Sequence, residues 1–323
     1  MAESSRHTGL SGSKVLVTGG AGFIGSHLVD ELVARKCKVT VVDNLQSGRM
    51  ENLEHSRKYI DFYKMDILSD EIYSLLQKGH FDYIFHMAAN AYVPPSVADP
   101  EFDFNNTLLT TFRLLEYLRK NHYPAVFIAN SSAAIYGSPK RMPIDESFLP
   151  DPISPYGVSK LALENYIKVF SQLYQIKGAS LRLFSAYGPR QYKQIIYDFM
   201  VKLSRNPGEL EILGDGTQMR DIVYVKDVVQ ALTVIAENGS LQGEYYNVAT
   251  GNGYTTRQVA EIMCELLGIQ PKFKFTGKVR AGDADKWIAS IDRLKSIGYR
   301  PRYSLREGLK ETIAWFQEIC VES

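Results

Sequence analysis

A short apolar strand, followed by closely spaced glycines and a helix, is the sequence feature that most constrains the fold. Residues 14–18 read Lys-Val-Leu-Val-Thr and lead into the spacing Gly19-x-x-Gly22-x-x-Gly25. Glycines in such a turn let the backbone approach a pyrophosphate, and the N-terminus of the following helix favours an anion. A glycine motif alone is also typical of a tight turn, but the flanking strand and helix favour dinucleotide binding. The predicted contacts in this turn are Gly19, Gly22, Phe23, Ile24 and Gly25.

The remaining strand pattern predicts an α/β fold with a doubly wound parallel sheet of the Rossmann type. Apolar runs at 39–42, 59–65, 83–85 and 125–129 follow the first strand. In such a sheet the carboxyl ends of the strands form one edge, and ligands bind there. Each of these runs is followed by polar residues or by small or apolar residues that suit contact with a cofactor, and we expect them to meet at this edge. They are Asp43, Asn44, Asp66, Ile67, Ala88, Ala89, Ser131 and Ser132.

Asp43 indicates which dinucleotide fits. A carboxylate that ends the second strand accepts hydrogen bonds from both ribose hydroxyls and repels a 2′-phosphate, which favours NAD over NADP. A turn or helix-capping aspartate is the alternative interpretation. Asp66 and Ile67 are expected near the adenine ring, and the small Ala88 and Ala89 let the chain pass close to the cofactor. We assign no chemistry to the neighbouring histidine at position 86.

A tyrosine and a lysine one helical turn apart form the candidate catalytic pair. Tyr156 and Lys160 share a helix face, where an ammonium beside a phenol lowers the pKa of the phenol. We therefore predict that Tyr156 is a general base near neutral pH, tuned by Lys160. A serine hydroxyl from the strand end at 131–132 would bond the same reacting oxygen. An exposed pair without chemistry is the alternative, because Tyr-x-x-x-Lys occurs on many helices.

Composition argues against several classes of protein. A formal net charge of +1 gives no sign of nucleic-acid or membrane-surface binding. No apolar run reaches the roughly 18 residues of a membrane span, and no signal peptide opens the chain, so we expect a cytoplasmic protein. Cys37, Cys264 and Cys320 have no metal-like spacing, and we predict neither disulfides nor a metal site.

The chain divides into three predicted parts. Residues 1–12 are polar and aperiodic, and we expect a flexible lead. Residues 13–180 are predicted to form the NAD-binding Rossmann domain. Residues 181–323, where strands and helices alternate less regularly, are predicted to form a smaller mixed α/β domain for substrate, with segments near 220–250 returning to the first domain.

Two predicted helices have more apolar surface than a sheet can cover. They span residues 103–120 and 157–174, and the second is apolar almost all the way round. One face can cover the sheet, whereas the other needs a partner. We therefore predict a homodimer joined by these helices as a four-helix bundle.

Taken together, the motifs resemble those of the extended short-chain dehydrogenase/reductases, and more narrowly the NAD-dependent nucleotide-sugar epimerase/dehydratase family. The resemblance runs from about residue 13 to the end of the chain. It implies a catalytic triad of Ser132, Tyr156 and Lys160, with Lys160 also on the nicotinamide ribose. The motifs that carry it are Gly19-x-x-Gly22-x-x-Gly25, Asp43, Asp66-Ile67, His86-x-Ala88-Ala89, Ser131-Ser132-x-x-Ile135-Tyr136-Gly137 and Tyr156-Gly-x-Ser-Lys160.

The resemblance also implies residues that bind a nucleotide diphosphate sugar. Arg220 matches the substrate arginine of the family, and Arg280 and Asp283 match its Arg-x-Gly-Asp motif. Two arginines suit a diphosphate, although exposed surface arginines are the alternative. Leu213 matches a segment that packs on the nucleotide base. Ser185 lies in the segment that lines the diphosphate and sugar, where many members have asparagine.

Ala133 and Ala134 bear on which reaction of the family this chain performs. The related 4,6-dehydratases have Asp-Glu at these positions, and the decarboxylases have glutamate at the second. Two methyl groups transfer no proton, so we expect a 4-epimerase of a UDP-hexose or UDP-hexuronate. Arg190 and Lys193 could reach a carboxylate at carbon 6; alternatively, Arg190 pins its loop or contacts phosphate.

Other functions stay open at this point. Within the family, they are a dehydratase, a decarboxylase or a 4-ketosugar reductase that takes its acid from elsewhere. A catalytically idle NAD-binding regulator is less favoured, because Tyr156 and Lys160 are both present.

Overall fold

The computed structural model of the protein describes residues 9–278 and 286–321. The strands in these ranges are β1 Lys14–Thr18, β2 Lys38–Asp43, β3 Ile60–Lys64, β4 Tyr83–His86, β5 Val126–Ser132, β6 Gly178–Leu183, β7 Ser185–Tyr187, β8 Glu209–Ile212, β9 Met219–Tyr224, β10 Gln242–Val248, β11 Gly253–Thr255, β12 Lys272–Phe275 and β13 Lys286–Trp287. The α-helices are α1 Phe23–Ala34, α2 Glu71–Gly79, α3 Val93–Ala98, α4 Pro100–Asp103, α5 Thr110–Lys120, α6 Pro155–Tyr174, α7 Gln194–Arg205, α8 Val225–Asn238, α9 Thr256–Leu267, α10 Asp292–Ser296 and α11 Leu305–Val321. Short 3₁₀ turns lie at Met50–Leu53, Arg57–Tyr59 and Ala133–Tyr136.

Seven strands form one parallel sheet in the order β3-β2-β1-β4-β5-β6-β10. The chain runs outward from β1 to β3 and then returns to the other side of β1, so the strand order reverses between β1 and β4. Buried leucines and valines of α1 and α8 pack on one face of the sheet, and those of α2, α5 and α6 pack on the other. The predicted doubly wound α/β fold is confirmed.

The reversal places the carboxyl ends of five neighbouring strands along one edge. Thr18 at the end of β1 is paired with Val42 on one side and with His86 on the other, and His86 is paired with Ala129. Because neighbouring strands are about 4.8 Å apart, residues that follow these ends share one crevice. The sequence positions expected at this edge therefore meet there.

The C-terminal part of the chain adds two smaller sheets. In one, β9 pairs with β7, β11 and β13, and in the other β8 pairs with β12. A second apolar core fills the space between them and helices α7, α9 and α11. The chain nevertheless crosses back, because β10 pairs with β6 in the main sheet. A domain boundary near residue 180 stays a prediction.

The helix predicted at 103–120 starts earlier and changes its winding. Asp99 caps α4 by accepting a hydrogen bond from the N–H of Phe102 (2.9 Å), and a π-helical segment, Phe104–Leu109, joins α4 to α5. The hydroxyls of Thr110 and Thr111 both bond the carbonyl of Thr107, at 3.2 and 2.7 Å. These bonds satisfy a carbonyl group within the wider turn.

The three cysteines are free thiols in the structure: Cys37 and Cys264 are buried, and Cys320 is exposed. Within the two described ranges, no helix combines the length and the apolar character needed to cross a bilayer.

Leu10 lies in the predicted flexible lead, yet its side chain is fully buried. Its N–H donates to the carboxylate of Glu237 (3.3 Å), and its carbonyl accepts a hydrogen bond from the N–H of Ser13 (3.0 Å). The side chain packs into the core on the face covered by α1 and α8. The prediction of a flexible lead is therefore wrong at residue 10, where one apolar side chain anchors a polar segment; residues 1–8 lie outside the described residues.

We expect Leu10→Ala to lower the free energy of unfolding by about 2–4 kcal/mol, because it removes a fully buried side chain and leaves a cavity. Urea denaturation measures this change. The matched control is Leu149→Ala, since Leu149 is 87% exposed and its loss should change stability by less than about 0.5 kcal/mol. Equal effects of the two substitutions would contradict the packing of Leu10.

Candidate functional site

One cleft, with a volume of about 750 Å³, follows the carboxyl edge of the sheet. It extends from the glycine turn after β1 to the end of β5 and the start of α6. Of the predicted site residues that the structure describes, the cleft brings together all but two. Those that line it are Gly19, Gly22, Phe23, Ile24, Gly25, Asp43, Asn44, Asp66, Ile67, Ala88, Ala89, Ser132, Tyr156, Lys160, Ser185 and Arg190.

Two predicted substrate residues do not line this cleft. Leu213 follows β8, on the small two-stranded sheet, and is 37% exposed. Arg220 lies on β9, where it donates to the carbonyl of Met219 (3.0 Å) and lies 5.6 Å from the ring centroid of Trp287, which does line the cleft. The other two, Arg280 and Asp283, lie outside the described residues.

The glycine turn fits a dinucleotide because it has no side chains. Gly19 has a left-handed φ of 67°, and a Cβ there would lie 2.6 Å from the backbone nitrogen of Ala88. A Cβ on Gly25 would overlap the carbonyl oxygen of Gly19. The turn therefore packs directly against the chain after β4, and α1 starts at Phe23 with its N-terminus at the cleft. This is the geometry in which backbone N–H groups bind a pyrophosphate.

Asp43 and Asp66 form the acidic end of the cleft. Asp43 is 7% exposed, and its two carboxylate oxygens accept hydrogen bonds from the N–H groups of Ala21 (3.0 Å) and Leu45 (2.8 Å). Burial raises the pKa of this carboxyl, and the two N–H groups oppose that rise. Each oxygen keeps a lone pair for a ribose hydroxyl. Asn44 donates to Asp66 at 3.1 Å and links the ends of β2 and β3.

At the other end of the cleft, the hydroxyl of Ser132 lies near enough to the phenol of Tyr156 to act on its pKa. Strand β5 delivers Ser132. Helix α6 delivers Tyr156 from its first turn, which Ser154 caps by accepting a hydrogen bond from the N–H of Gly157 (3.2 Å). Of the two candidate serines, Ser131 instead donates to the carbonyl of Lys160 at 3.4 Å. Ser132 is therefore the serine of the two that faces the phenol, and its catalytic role stays a prediction.

Burial raises the pKa of Tyr156 to about 12, although the hydroxyl of Ser132 opposes the rise. The prediction that Lys160 makes this phenol a base near neutral pH is therefore wrong for the protein by itself. The ammonium lies 5.6 Å from the centroid of the Tyr156 ring. Removing the phenol from water destabilises its anion, and the negative charge of Asp103 adds to this effect.

Lys160 is 3% exposed and donates to the backbone carbonyl of Asn130 at 2.8 Å. Burial lowers the pKa of this lysine to about 8, whereas the carboxylates of Asp103 and Glu164 act in the opposite direction. Its charge state therefore changes within the physiological range, in contrast to that of an exposed lysine.

Two cations lie on the loop after β7. Arg190 forms an ion pair with Asp30 of α1 (2.7 Å), so it anchors this loop, as the alternative interpretation of the sequence held. Lys193 donates to the hydroxyl of Tyr92 at 3.0 Å, across the cleft from the loop after β4. Both cations line the cleft, but only Arg190 is matched by a carboxylate among the contacts of the described residues.

Sequence reasoning missed several residues of the cleft wall. Trp287 of β13 donates to the carbonyl of Gly137 (3.3 Å), and Thr110 and Asn106 reach the cleft from the helices that follow β4. Asn130 contributes its backbone carbonyl, which leaves no trace in a side-chain pattern. The position of Tyr92 in the cleft could have been predicted from the sequence, because it closely follows the small residues after β4.

Comparisons with known proteins agree on one family of nucleotide-sugar enzymes. A family model described as GDP-mannose 4,6 dehydratase matches residues 16–312. A putative UDP-glucose 4-epimerase of Methanocaldococcus jannaschii is 34% identical over 307 residues, which is 94% of this chain and 98% of that protein. The structure of a UDP-glucose 4-epimerase of Thermotoga maritima with UDP-glucose has a TM-score of 0.87 at 38% identity, covering 95% of this chain and 99% of that one. The structure of a UDP-glucuronic acid 4-epimerase of Bacillus cereus with UDP-glucuronic acid and NAD has a TM-score of 0.86 at 29% identity, covering 94% and 99%.

We expect Gly25→Ala to weaken dinucleotide binding about tenfold or more and to lower the melting temperature, because its Cβ would overlap the carbonyl of Gly19. Fluorescence titration with NADH measures the binding. Gly208→Ala is the matched control, since a Cβ there would lie 3.4 Å from its nearest neighbour, the Asn206 side chain. Unchanged NADH affinity in the Gly25 variant would rule out a pyrophosphate at this turn.

Proposed function

Since this chain belongs to the extended short-chain dehydrogenase/reductase family of NAD-dependent nucleotide-sugar epimerases and dehydratases, we propose that it is a 4-epimerase of a UDP-linked hexose or hexuronate. The family predicted from the motifs is confirmed by the match over residues 16–312 and by the coverage of nearly the whole length of the similar proteins. Those proteins are UDP-sugar 4-epimerases, and this chain is their homologue.

NAD is the cofactor that the cleft fits. The side-chain-free turn at Gly19 and Gly25 accommodates a pyrophosphate, and the carboxylate of Asp43 suits an adenosine ribose that carries no 2′-phosphate. When bound, NAD accepts a hydride from carbon 4 of the sugar and returns it. Ser132 and Tyr156 line the end of the cleft away from Asp43, so they would face the nicotinamide.

Three side chains at that end perform the proton transfer. Tyr156, as the phenolate, removes the proton of the hydroxyl at carbon 4 and later gives it back, and Ser132 orients that hydroxyl. The enclosed phenol is protonated in the protein by itself, so it must first lose that proton, and the positive charges of Lys160 and of bound oxidised NAD would favour this loss. Lys160 would also hold the nicotinamide ribose. Once it has taken the proton of the sugar hydroxyl, the phenol is the acid of the return step.

The distribution of carboxylates in the cleft supports epimerisation rather than elimination. Among the described residues that line the cleft, Asp43 and Asp66 are the acids, and both are at the ends of β2 and β3. Strand β5 lies three strands away from β2, about 14 Å at 4.8 Å per strand. Ala134, 7% exposed, takes the place beside Ser132. A dehydratase, decarboxylase or ketosugar reductase is the alternative, and it would need an acid from another part of the chain.

Two kinds of sugar remain within the proposal. A hexuronate is favoured by Lys193, whose ammonium contacts only the neutral Tyr92 hydroxyl among the described polar groups. A neutral hexose is favoured by the ion pair of Arg190 with Asp30, because Asp30 neutralises this arginine, the other cation of the loop, and a sugar carboxylate would have to compete with it. The similar proteins with bound ligands include one of each kind.

Proton NMR of the protein with UDP-glucose, UDP-N-acetylglucosamine or UDP-glucuronate, without added cofactor, tests the reaction. We expect one of these sugars to equilibrate with its galacto-configured epimer. Tyr156→Phe should bind NAD as the parent does but turn over about 10³-fold more slowly. Pentose or 4-keto-6-deoxy products would contradict the epimerase, and full activity of the phenylalanine variant would contradict the role of Tyr156.

The outer face of α6 supports the predicted homodimer. Val158, Tyr166, Val169 and Leu173 are 55%, 39%, 43% and 66% exposed, and their helical spacing places them on one stripe. The opposite face of the helix packs on the sheet through Leu163 and Ile167. We propose that this stripe, together with α5, pairs with its copy in a four-helix bundle.

We expect Leu173→Glu to convert a dimer of the chain into a monomer, because it places a charge within an apolar interface. Light scattering coupled to size-exclusion chromatography measures the mass. Leu149→Glu is the control, since this equally large side chain is 87% exposed away from the stripe. A wild-type protein that runs as a monomer at micromolar concentration would contradict the bundle.

A further inference from the structure

Two cationic side chains are buried within the described part of the chain, Lys160 and Arg182, at 3% and 2% exposure. Arg182 is matched directly, because it forms an ion pair with Glu164 at 2.9 Å and two further hydrogen bonds to the same carboxylate. Lys160 is not matched in this way, since its ammonium donates to the neutral carbonyl of Asn130. A buried ammonium without a carboxylate in contact requires compensation from a charge farther away.

Asp103 is the buried acid that is itself incompletely paired. Its side chain is fully buried, and Oδ1 accepts one hydrogen bond, from the amide of Asn90 at 2.7 Å. Oδ2 is buried and has no hydrogen-bond partner among the described residues. The other buried aspartates accept bonds from two or more backbone N–H groups each. These are Asp43, Asp221 and Asp227.

The fold places this carboxylate on a segment that packs against the helix of the proposed catalytic pair. Asp103 ends α4 and precedes the π-helical segment, and both elements pack against α6, which carries Tyr156 and Lys160. Its negative charge raises the pKa of Lys160, which burial lowers. It also raises the pKa of Tyr156, which burial raises as well. Asp103 does not line the cleft, so it acts on substrate chemistry only through these two residues.

We propose that Asp103 is a positioning residue, the buried counter-charge that keeps Lys160 protonated while the 4-epimerase works. The catalytic part of this inference rests on the proposed function. The electrostatic effect of Asp103 on Lys160 does not depend on it. With Asp103, each of the two buried cations has a buried acid of its own: Lys160 has Asp103, and Arg182 has Glu164.

The other groups around Lys160 do not supply this charge. His86 is buried beneath it and bonds Thr18 at 2.8 Å; burial and the lysine lower its pKa to about 3, so it is neutral. Glu164, one helical turn beyond Lys160, raises the pKa of the lysine too, but Arg182 neutralises most of its field. The remaining neighbours, Ser132 and the carbonyl of Asn130, carry no charge.

Asp103→Asn removes the negative charge and keeps the shape, so the pKa values of Lys160 and Tyr156 should both fall. We expect the pKa of Lys160, about 8 in the parent protein, to fall by about one unit. At pH 7.5 the protonated fraction of this lysine would then drop from about three quarters to about one quarter. Both limbs of the pH–rate profile should move to lower pH, which a purely structural defect would not cause.

The experiment is an NMR titration of the NAD-loaded protein labelled with ¹⁵N-lysine, in which Lys160→Arg identifies the signal. We compare the parent, Asp103→Asn and Thr107→Val. The last variant is the matched control, because it removes the hydroxyl that accepts a hydrogen bond from the N–H of Asn90 (3.2 Å) and so disturbs the same cluster without a change of charge. A lower pKa of Lys160 in the asparagine variant alone supports the proposal.

An unchanged pKa in Asp103→Asn, or equal shifts in both variants, would overturn it. The lysine titration does not depend on turnover. A protein without epimerase activity would therefore refute the proposed function while leaving the charge relation to be decided by the lysine signal.

Discussion

The pairing of β1 with β2 on one side and β4 on the other is the constraint on which the rest of the structure depends. Because β1 is central, β2 and β3 extend the sheet on one side of it, and β4, β5, β6 and β10 extend it on the other. The crevice between these two halves of the sheet opens at the carboxyl end of β1, next to Thr18. The glycine turn after β1 and the small residues after β4 then pack against each other. Any side chain at Gly19 would separate them. The cofactor cradle is thus a consequence of strand order as much as of glycine spacing.

The opposite end of the cleft depends on a buried ion pair. Arg182 of β6 binds Glu164 of α6, and it also donates to the hydroxyl of Tyr136, which follows Ser132 in the chain (2.9 Å). Tyr136 in turn donates to Asn247 of β10 at 2.7 Å. One guanidinium therefore fixes α6 relative to the ends of β5 and β10. A buried pair of this kind adds little net stability, but removal of one partner leaves an uncompensated charge.

Charge within the enclosed site is what separates this cleft from a simple binding groove. Enclosure alone would leave a neutral lysine and a neutral tyrosine, because burial disfavours both charged forms. Buried carboxylates act against this for Lys160 and reinforce it for Tyr156. At the same time, the carboxylates that line the described wall are confined to the far end of the cleft. The Tyr156 end thus has a phenol and an ammonium for moving a proton and, among the described residues, no carboxylate in its lining.

Much of the fold and of the site was accessible from the sequence, because its signals are local. The alternation of apolar runs with helical patterns predicted the doubly wound sheet. Glycine spacing and residues at strand ends identified the cofactor end, and the Tyr-x-x-x-Lys spacing identified Tyr156 and Lys160. A residue at the end of a parallel strand faces the ligand edge in any such sheet, so no knowledge of packing was needed.

Tertiary structure decided everything that depends on segments far apart in the chain. It buried Leu10 against α1 and α8, brought Trp287 to Gly137, and paired Arg190 with Asp30. It also set the proton affinities: the pKa of Tyr156 rises to about 12 because the folded chain encloses it. Burial and through-space charge are sums over the whole molecule, and no local pattern records them.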